Sequence, residues 1–196
     1  MPKKASRNTK NKIVSTAWSL FYKYGFDNTT IEDIVYESGT SRGSFYHYFS
    51  SKDELLNTLS DLFDSKYEEL SKTLRDDMSA LEKLLYMNKE QFAMIDDSVP
   101  LDLLARMYSS QLTTSGSRNL LDHNRTYYKL IRQVVIEGKE KGEFTEEMSV
   151  NDIVGAYAMC ERALISDWCL SNGEYSLSRK GEILLPRLLK GFLKSK

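Results

Sequence analysis

A chain of 196 residues is long enough to bury a proper core in one or two compact units, and with 41% hydrophobic and 28% charged residues it has the composition of a globular protein. No apolar run approaches the roughly 20 residues of a membrane helix, and the stretch from Ile13 to Phe26 is too broken by Ser, Lys and Tyr for a signal peptide; the cytoplasm is the expected compartment, with no membrane partner. The net charge of −1 hides an asymmetry, because residues 1–52 carry eight Lys/Arg against four Asp/Glu, and the first twelve residues hold five basic side chains and no acid. A short basic arm of this kind draws a polyanion by counterion release, whatever the base sequence.

Helical periodicity dominates from end to end. Ile13, Ala17, Leu20, Phe21 and Tyr24 recur three or four apart and predict a first helix over 8–24, stopped by Gly25. Thr29 and Thr30, three residues ahead of Glu32 and Asp33, read as a capping box opening a short helix over 31–38. Gly39 suits the left-handed turn that follows, and Thr40-Ser41 offers a fresh N-cap for a third helix over 42–49. Ser50-Ser51 then breaks the chain before a long fourth helix over 52–75. Further helices are expected over 79–95, 100–112, 118–141, 150–170 and 178–193, with Pro100 in a first turn and Pro186 kinking or starting the last segment.

A short capped helix, a glycine turn and a second short helix have the spacing of a helix-turn-helix, whose second helix enters the major groove by its N-terminal residues. Arg42 can donate to guanine or phosphate, and Gly43 lets the backbone approach closely. Ser44, Tyr46, His47 and Tyr48 carry polar tips on short or rigid stems, while Phe45 and Phe49 anchor the helix to the core. Lys52 can reach a phosphate together with free backbone N–H groups.

The run Thr29-Thr30-Ile31-Glu32-Asp33-Ile34, then Gly39-Thr40-Ser41-Arg42-Gly43-Ser44-Phe45-Tyr46-His47-Tyr48-Phe49 and Ser51-Lys52-Asp53-Glu54-Leu55, resembles the TetR family of bacterial regulators over about a quarter of the chain. The resemblance implies an all-α fold of about nine helices. A three-helix DNA-binding domain over 1–51 would be joined by the long fourth helix to a ligand-binding and dimerisation domain over 52–196. It also implies that Thr30, Ser41, Arg42, Gly43, Ser44, Tyr46, His47 and Tyr48 meet DNA, with Lys52 as a phosphate clamp and the basic arm along the adjacent minor groove. The implied partners are an inverted-repeat duplex operator, a second copy of the chain and an unidentified small-molecule effector. The implied activity is a repressor released by that effector. Control by a protein partner, or nonspecific DNA binding, remain the alternative readings.

The effector is expected in a cavity between helices. The wider candidates are Tyr86, Phe92, Met94, Met107, Tyr108, Gln111, His123, Tyr127 and Tyr128, from which Tyr86, Met107, Gln111, His123 and Tyr127 are taken as the ligand-binding set. The broad apolar bands over 150–170 and 178–193 are expected to pair across a two-fold axis. No catalytic constellation, cofactor motif or metal-ligand spacing is present in the sequence, so no enzyme activity, cofactor or metal is expected. Cys160 and Cys169, about 13 Å apart along one helix, cannot bridge and are read as small core or interface residues.

Overall fold

The computed structural model describes residues 3–115 and 118–194, and every regular element among them is helical. In chain order these are α1 (Lys3–Tyr24), α2 (Ile31–Ser38), α3 (Arg42–Tyr48), α4 (Leu59–Ser71), α5 (Ala80–Ser98), α6 (Leu101–Thr113), α7 (Thr126–Glu140), α8 (Val150–Leu170) and α9 (Leu177–Leu189). Short 3₁₀ turns occupy Asp53–Thr58, Asn119–Leu121 and Lys190–Phe192. No helix is long and apolar enough to cross a membrane among the described residues. The chain divides into two compact units, residues 1–59 and 60–196.

In the first unit, α1 begins at Lys3, so most of the expected basic arm is helix; no Gly or Pro interrupts Lys3 to Lys12. Ile13, Ala17 and Phe21 of α1, Ile34 of α2, and Phe45 and Phe49 of the α3 region share one core. The unit extends past the expected boundary at residue 51 because Leu55, Leu56 and Leu59 are all buried in it. The Asp53–Thr58 segment, expected as the opening of a long helix, is wound as 3₁₀. Its i,i+3 side-chain eclipse puts Leu56 and Leu59 on one side. There the Thr58 hydroxyl bonds the Leu55 carbonyl at 2.6 Å and accepts the Trp18 indole N–H at 2.8 Å.

In the second unit, α5 packs most extensively on α9 and also on α7, while α8 lies against α6, α7 and α9. Its core runs through Tyr67, Leu84, Met87, Ile131, Val154, Tyr157 and Leu185. Gly181 lets α5 and α9 close up, since a Cβ there would lie 2.7 Å from Asn88 Oδ1 and 2.9 Å from a Phe92 ring carbon. At the other end of the seam, Asp96 caps α9. Its carboxylate accepts the backbone N–H groups of Leu177 (2.8 Å) and Ser178 (2.9 Å) and the hydroxyls of Ser176 (2.9 Å) and Ser178 (2.7 Å). Partial burial would raise the Asp96 pKa, but these bonds outweigh it and hold the carboxyl below its ordinary value.

Two boundaries differ from the periodicity. The helix expected over 118–141 starts only at Thr126, because the Asp122 carboxylate accepts from both the Asn124 backbone and side chain (2.9 Å each) and turns the chain first. The last helix runs through Pro186, which sits inside α9 with no backbone donor to give. Beyond it, Leu193 forms an isolated antiparallel bridge to Phe144.

Candidate functional site

The helix-turn-helix is held by local chemistry that can be followed bond by bond. Thr30 is the N-cap of α2: its hydroxyl accepts from Asp33 N–H at 3.1 Å, and the Asp33 carboxylate returns bonds to the Thr30 N–H (2.8 Å) and hydroxyl (2.6 Å). Those bonds hold the Asp33 carboxyl below its ordinary pKa. Gly39 closes α2 at φ +60°, a left-handed conformation that glycine adopts without Cβ strain, and Thr40 N–H reaches back to the Val35 carbonyl at 3.1 Å. Ser41 then caps α3, its hydroxyl accepting from Ser44 N–H at 3.0 Å.

Phe45 and Phe49, four apart, bury one side of α3 with their rings 5.8 Å from each other. The opposite side is thereby fixed outward. Ser41, Arg42, Gly43, Tyr46 and His47 are exposed, and Ser44 and Tyr48 are half-buried at its flanks. The His47 and Tyr48 rings meet edge to face at 4.7 Å. Arg42 pairs with Glu32 of α2 at 2.7 Å in open solvent, an ion pair of the strength that water screens almost fully.

Lys52 does something its position in the sequence does not announce. Its ammonium donates to the carbonyls of Phe26 (2.6 Å) and Thr29 (2.7 Å) and sits 4.2 Å from the centre of the Phe26 ring. It thus ties the loop ahead of α2 to the start of the 3₁₀ turn, and two of its three donors are spent inside the unit.

The second unit contains a cavity of about 50 Å³ that opens to solvent between α4, α5, α6, α7 and α8. Phe63, Phe92, Ile95, Leu120 and Ile165 make its apolar wall. Its polar groups are Gln91, Tyr108, Arg125, Tyr127, Glu161 and Arg162, with Tyr67 completing the lining. Arg125 is committed to Asp64, with Nη2 at 3.0 Å and Nε at 3.2 Å from the carboxylate. Glu161, buried at the cavity wall, accepts from Asn88 Nδ2 at 2.7 Å, the Tyr127 hydroxyl at 2.6 Å and the Tyr157 hydroxyl at 2.9 Å. Burial pushes its carboxyl above the ordinary glutamate value, outweighing these bonds and the nearby Arg162 charge. Burial also lifts the Tyr108 hydroxyl well above its ordinary value, so it stays protonated. Gln91, only 3% exposed, finds no protein partner for either its amide nitrogen or its amide oxygen.

Of the five residues expected to bind a ligand, the structure brings Tyr127 to this cavity and sets the others elsewhere. Met107 is fully inside the packed core. Gln111 straps the following loop, its backbone carbonyl accepting from Arg118 Nε (2.9 Å) and its side-chain oxygen from Leu120 N–H (3.3 Å). Tyr86 lies on the α5–α9 groove with its hydroxyl 3.2 Å from that of Thr73, and His123 is exposed against the Tyr128 ring at 4.4 Å. Phe92 and Tyr108, from the wider set, do line the cavity. Gln91 and Glu161 lie outside the expected set, although Glu161 is a polar residue on the otherwise apolar stripe Tyr157, Glu161, Leu164, Trp168 of α8, and Gln91 follows Leu84, Met87 and Asn88 on the buried face of α5. The two cysteines are half-buried thiols whose pKa burial raises, that of Cys169 to about 11, which leaves them little thiolate at neutral pH.

Comparison with known proteins follows the same division. Residues 13–59 match the family model described as bacterial regulatory proteins of the tetR family, and residues 60–191 match one described as the C-terminal region of YsiA-like proteins. The HTH-type transcriptional repressor KstR2 of Mycolicibacterium smegmatis is 23% identical over 188 residues, 95% of this chain and 91% of that one. Among solved structures, Thermus thermophilus FadR, a TetR-family repressor in complex with lauroyl-CoA, superposes with a TM-score of 0.80 at 23% identity, covering 95% and 96% of the two chains. Bacillus subtilis FadR in complex with stearoyl-CoA gives 0.70 at 19% identity, over 93% and 99%.

Proposed function

Because the chain belongs to the TetR family of bacterial transcriptional regulators, we propose that it is a repressor that binds an inverted-repeat operator as a homodimer and is released by a small molecule. The observation that carries the DNA half of this reading is α3. A helix clamped by Phe45 and Phe49 presents Arg42, Gly43, Tyr46 and His47 together on its free side, two turns of groove-reading chemistry with no acid among them. The cap hydroxyls of Thr30 and Ser41, the half-buried Ser44 and Tyr48, and the ammonium of Lys52 are assigned to the phosphate backbone. For Lys52 this adds to its hold on the loop before α2.

A dimer is supported by the outer faces of α8 and α9. On α8, Met159, Ala163 and Leu170 recur at helical spacing and face outward, with Ala156 half-buried beside them, Met159 at 61% and Leu170 at 87% exposure; on α9, Ile183 and Leu188 are also exposed. An apolar stripe of this extent costs free energy in water and is relieved when a second copy covers it. A two-fold dimer would set its recognition helices about 34–36 Å apart, one duplex turn. The effector half rests on the cavity, and on the acyl-CoA molecules bound by the two FadR proteins of the same fold.

The test is fluorescence-anisotropy titration of the protein with DNA from upstream of its own gene, against a scrambled duplex, across a salt series. Preference for the specific duplex of about 10³ is expected. Tyr46→Ala and His47→Ala should each lose about tenfold to a hundredfold of that affinity while remaining dimeric. Full affinity in both variants would remove α3 from the interface, and equal binding to both duplexes would make the protein a nonspecific binder.

A further inference from the structure

The cavity in the second unit is apolar on one side, and its charged groups are already engaged. Arg125 is held by Asp64, and Glu161 is ringed by Asn88, Tyr127 and Tyr157 and stands beside Arg162, whose guanidinium reaches the Tyr128 hydroxyl at 3.0 Å. One polar side chain on this wall is different in kind. Gln91 is 3% exposed, lines the cavity, and has neither amide atom within hydrogen-bonding reach of a protein group. Its neighbour one turn back on α5, Asn88, has its place in the Glu161 network; Gln91 does not.

A buried amide with both its donor and its acceptor unmatched is among the costlier things a core can carry, and the great majority of such atoms in folded proteins are paired. A leucine would fill the same space without that cost. The residue makes sense as half of a pair whose other half arrives with a ligand. The missing half must offer an acceptor to Nε2 and a donor to Oε1 side by side. An alkyl chain offers neither, an ionised carboxylate presses an acceptor against Oε1, and an alcohol has to donate and accept from a single oxygen, which cannot lie in line with both amide atoms. A neutral amide serves both.

Resting on the reading of this cavity as the effector site, we infer that the effector is a neutral amphipathic molecule with an apolar body and one amide edge, a carboxamide or lactam, which pairs with Gln91 while its body lies against Phe63, Phe92 and Ile165. The group that sets effector specificity is thus Gln91, and a saturated acyl chain occupying the same space would leave it unmatched.

The test uses three probes of one chain length, decanamide, decanoate and 1-decanol, titrated by calorimetry into the full-length protein and into Gln91→Leu. Wild type is expected to bind decanamide about tenfold or more tightly than either other probe. Gln91→Leu is expected to lose about tenfold for decanamide, to keep 1-decanol within about threefold, and to unfold at a higher temperature when unliganded, because the unmatched amide has gone. Decanoate binding best would make Arg162 the reader and overturn the inference. So would decanamide binding no better than 1-decanol, decanamide affinity unchanged in Gln91→Leu, or a lower unfolding temperature for that variant, the mark of an amide already satisfied by buried water. Release of DNA by lauroyl-CoA is measured in parallel. If it frees both wild type and Gln91→Leu while decanamide fails, the effector cavity stands and only the amide assignment falls.

Discussion

At the Glu161 carboxyl, the neighbouring Tyr157 hydroxyl faces more acceptors than its one proton can serve. The Tyr157 hydroxyl lies 2.9 Å from Glu161 Oε1 and also 2.9 Å from the Leu84 carbonyl, with one proton to give. Burial raises the Glu161 carboxyl above its ordinary value, outweighing the bonds from Asn88, Tyr127 and Tyr157 that lower it. A raised folded pKa means the folded chain holds this proton more tightly than the unfolded one. Its contribution to stability is therefore complete at pH below the unfolded value and is lost as pH rises through the folded value. Glu161→Gln removes that titration. Urea midpoints measured from pH 4 to pH 8 should fall for wild type relative to the variant as pH rises; parallel profiles would mean that Glu161 titrates alike in both states. Side chains of this kind explain what could and could not be read from sequence. Phe45 and Phe49 declare themselves by their spacing alone. Lys52 does not, because the carbonyls it grips lie 26 and 23 residues back, and a carbonyl carries no residue signature. Gln91 and Gln111 look alike on their helices, and only the packing shows that one straps a loop while the other faces a cavity.

Where Gly181 of α9 packs on α5, the seam has no slack. Gly181→Ala gains a few tenths to about 1 kcal/mol in helix propensity, yet its methyl must displace Asn88 Oδ1 and the Phe92 ring, a strain of about 1–3 kcal/mol. The expected result is a net loss of about 1 kcal/mol, seen by calorimetry as a fall of a few degrees in Tm. An unchanged or higher Tm would show that Phe92 gives way freely. Because Asn88 also donates to Glu161, the same change should disturb the cavity wall. At this scale the sequence was most legible where capping is local, as in the Thr30–Asp33 box and the Gly39 turn, both set within a few residues. It was least legible where an element end depends on a side-chain turn or a tertiary partner. Asp122 delays α7 to Thr126, and the leucines at 55, 56 and 59 tighten the opening of the expected fourth helix into 3₁₀. Which face of α5 or α8 meets the cavity is set by how the helices rotate against one another, and periodicity does not encode that.

For the whole molecule, the proposed dimer rests on the outward apolar residues of α8 and α9. Met159→Lys places a charge among them without touching the core, since Met159 is already 61% exposed. Sedimentation velocity should find this variant monomeric at concentrations where wild type is a dimer, and its operator affinity should drop by at least a hundredfold as one half-site is lost. A dimeric variant with normal affinity would move the interface elsewhere. Asp96 gives this arrangement a mechanical side. Gln91, Phe92 and Ile95 of α5 face the cavity, and one residue further along the same helix the Asp96 carboxylate grips the first turn of α9 by four bonds. The two helices are pinned at that end like the arms of a caliper, and under the proposed function a molecule wedging against α5 would open the gauge at α9, the helix proposed to meet the second copy.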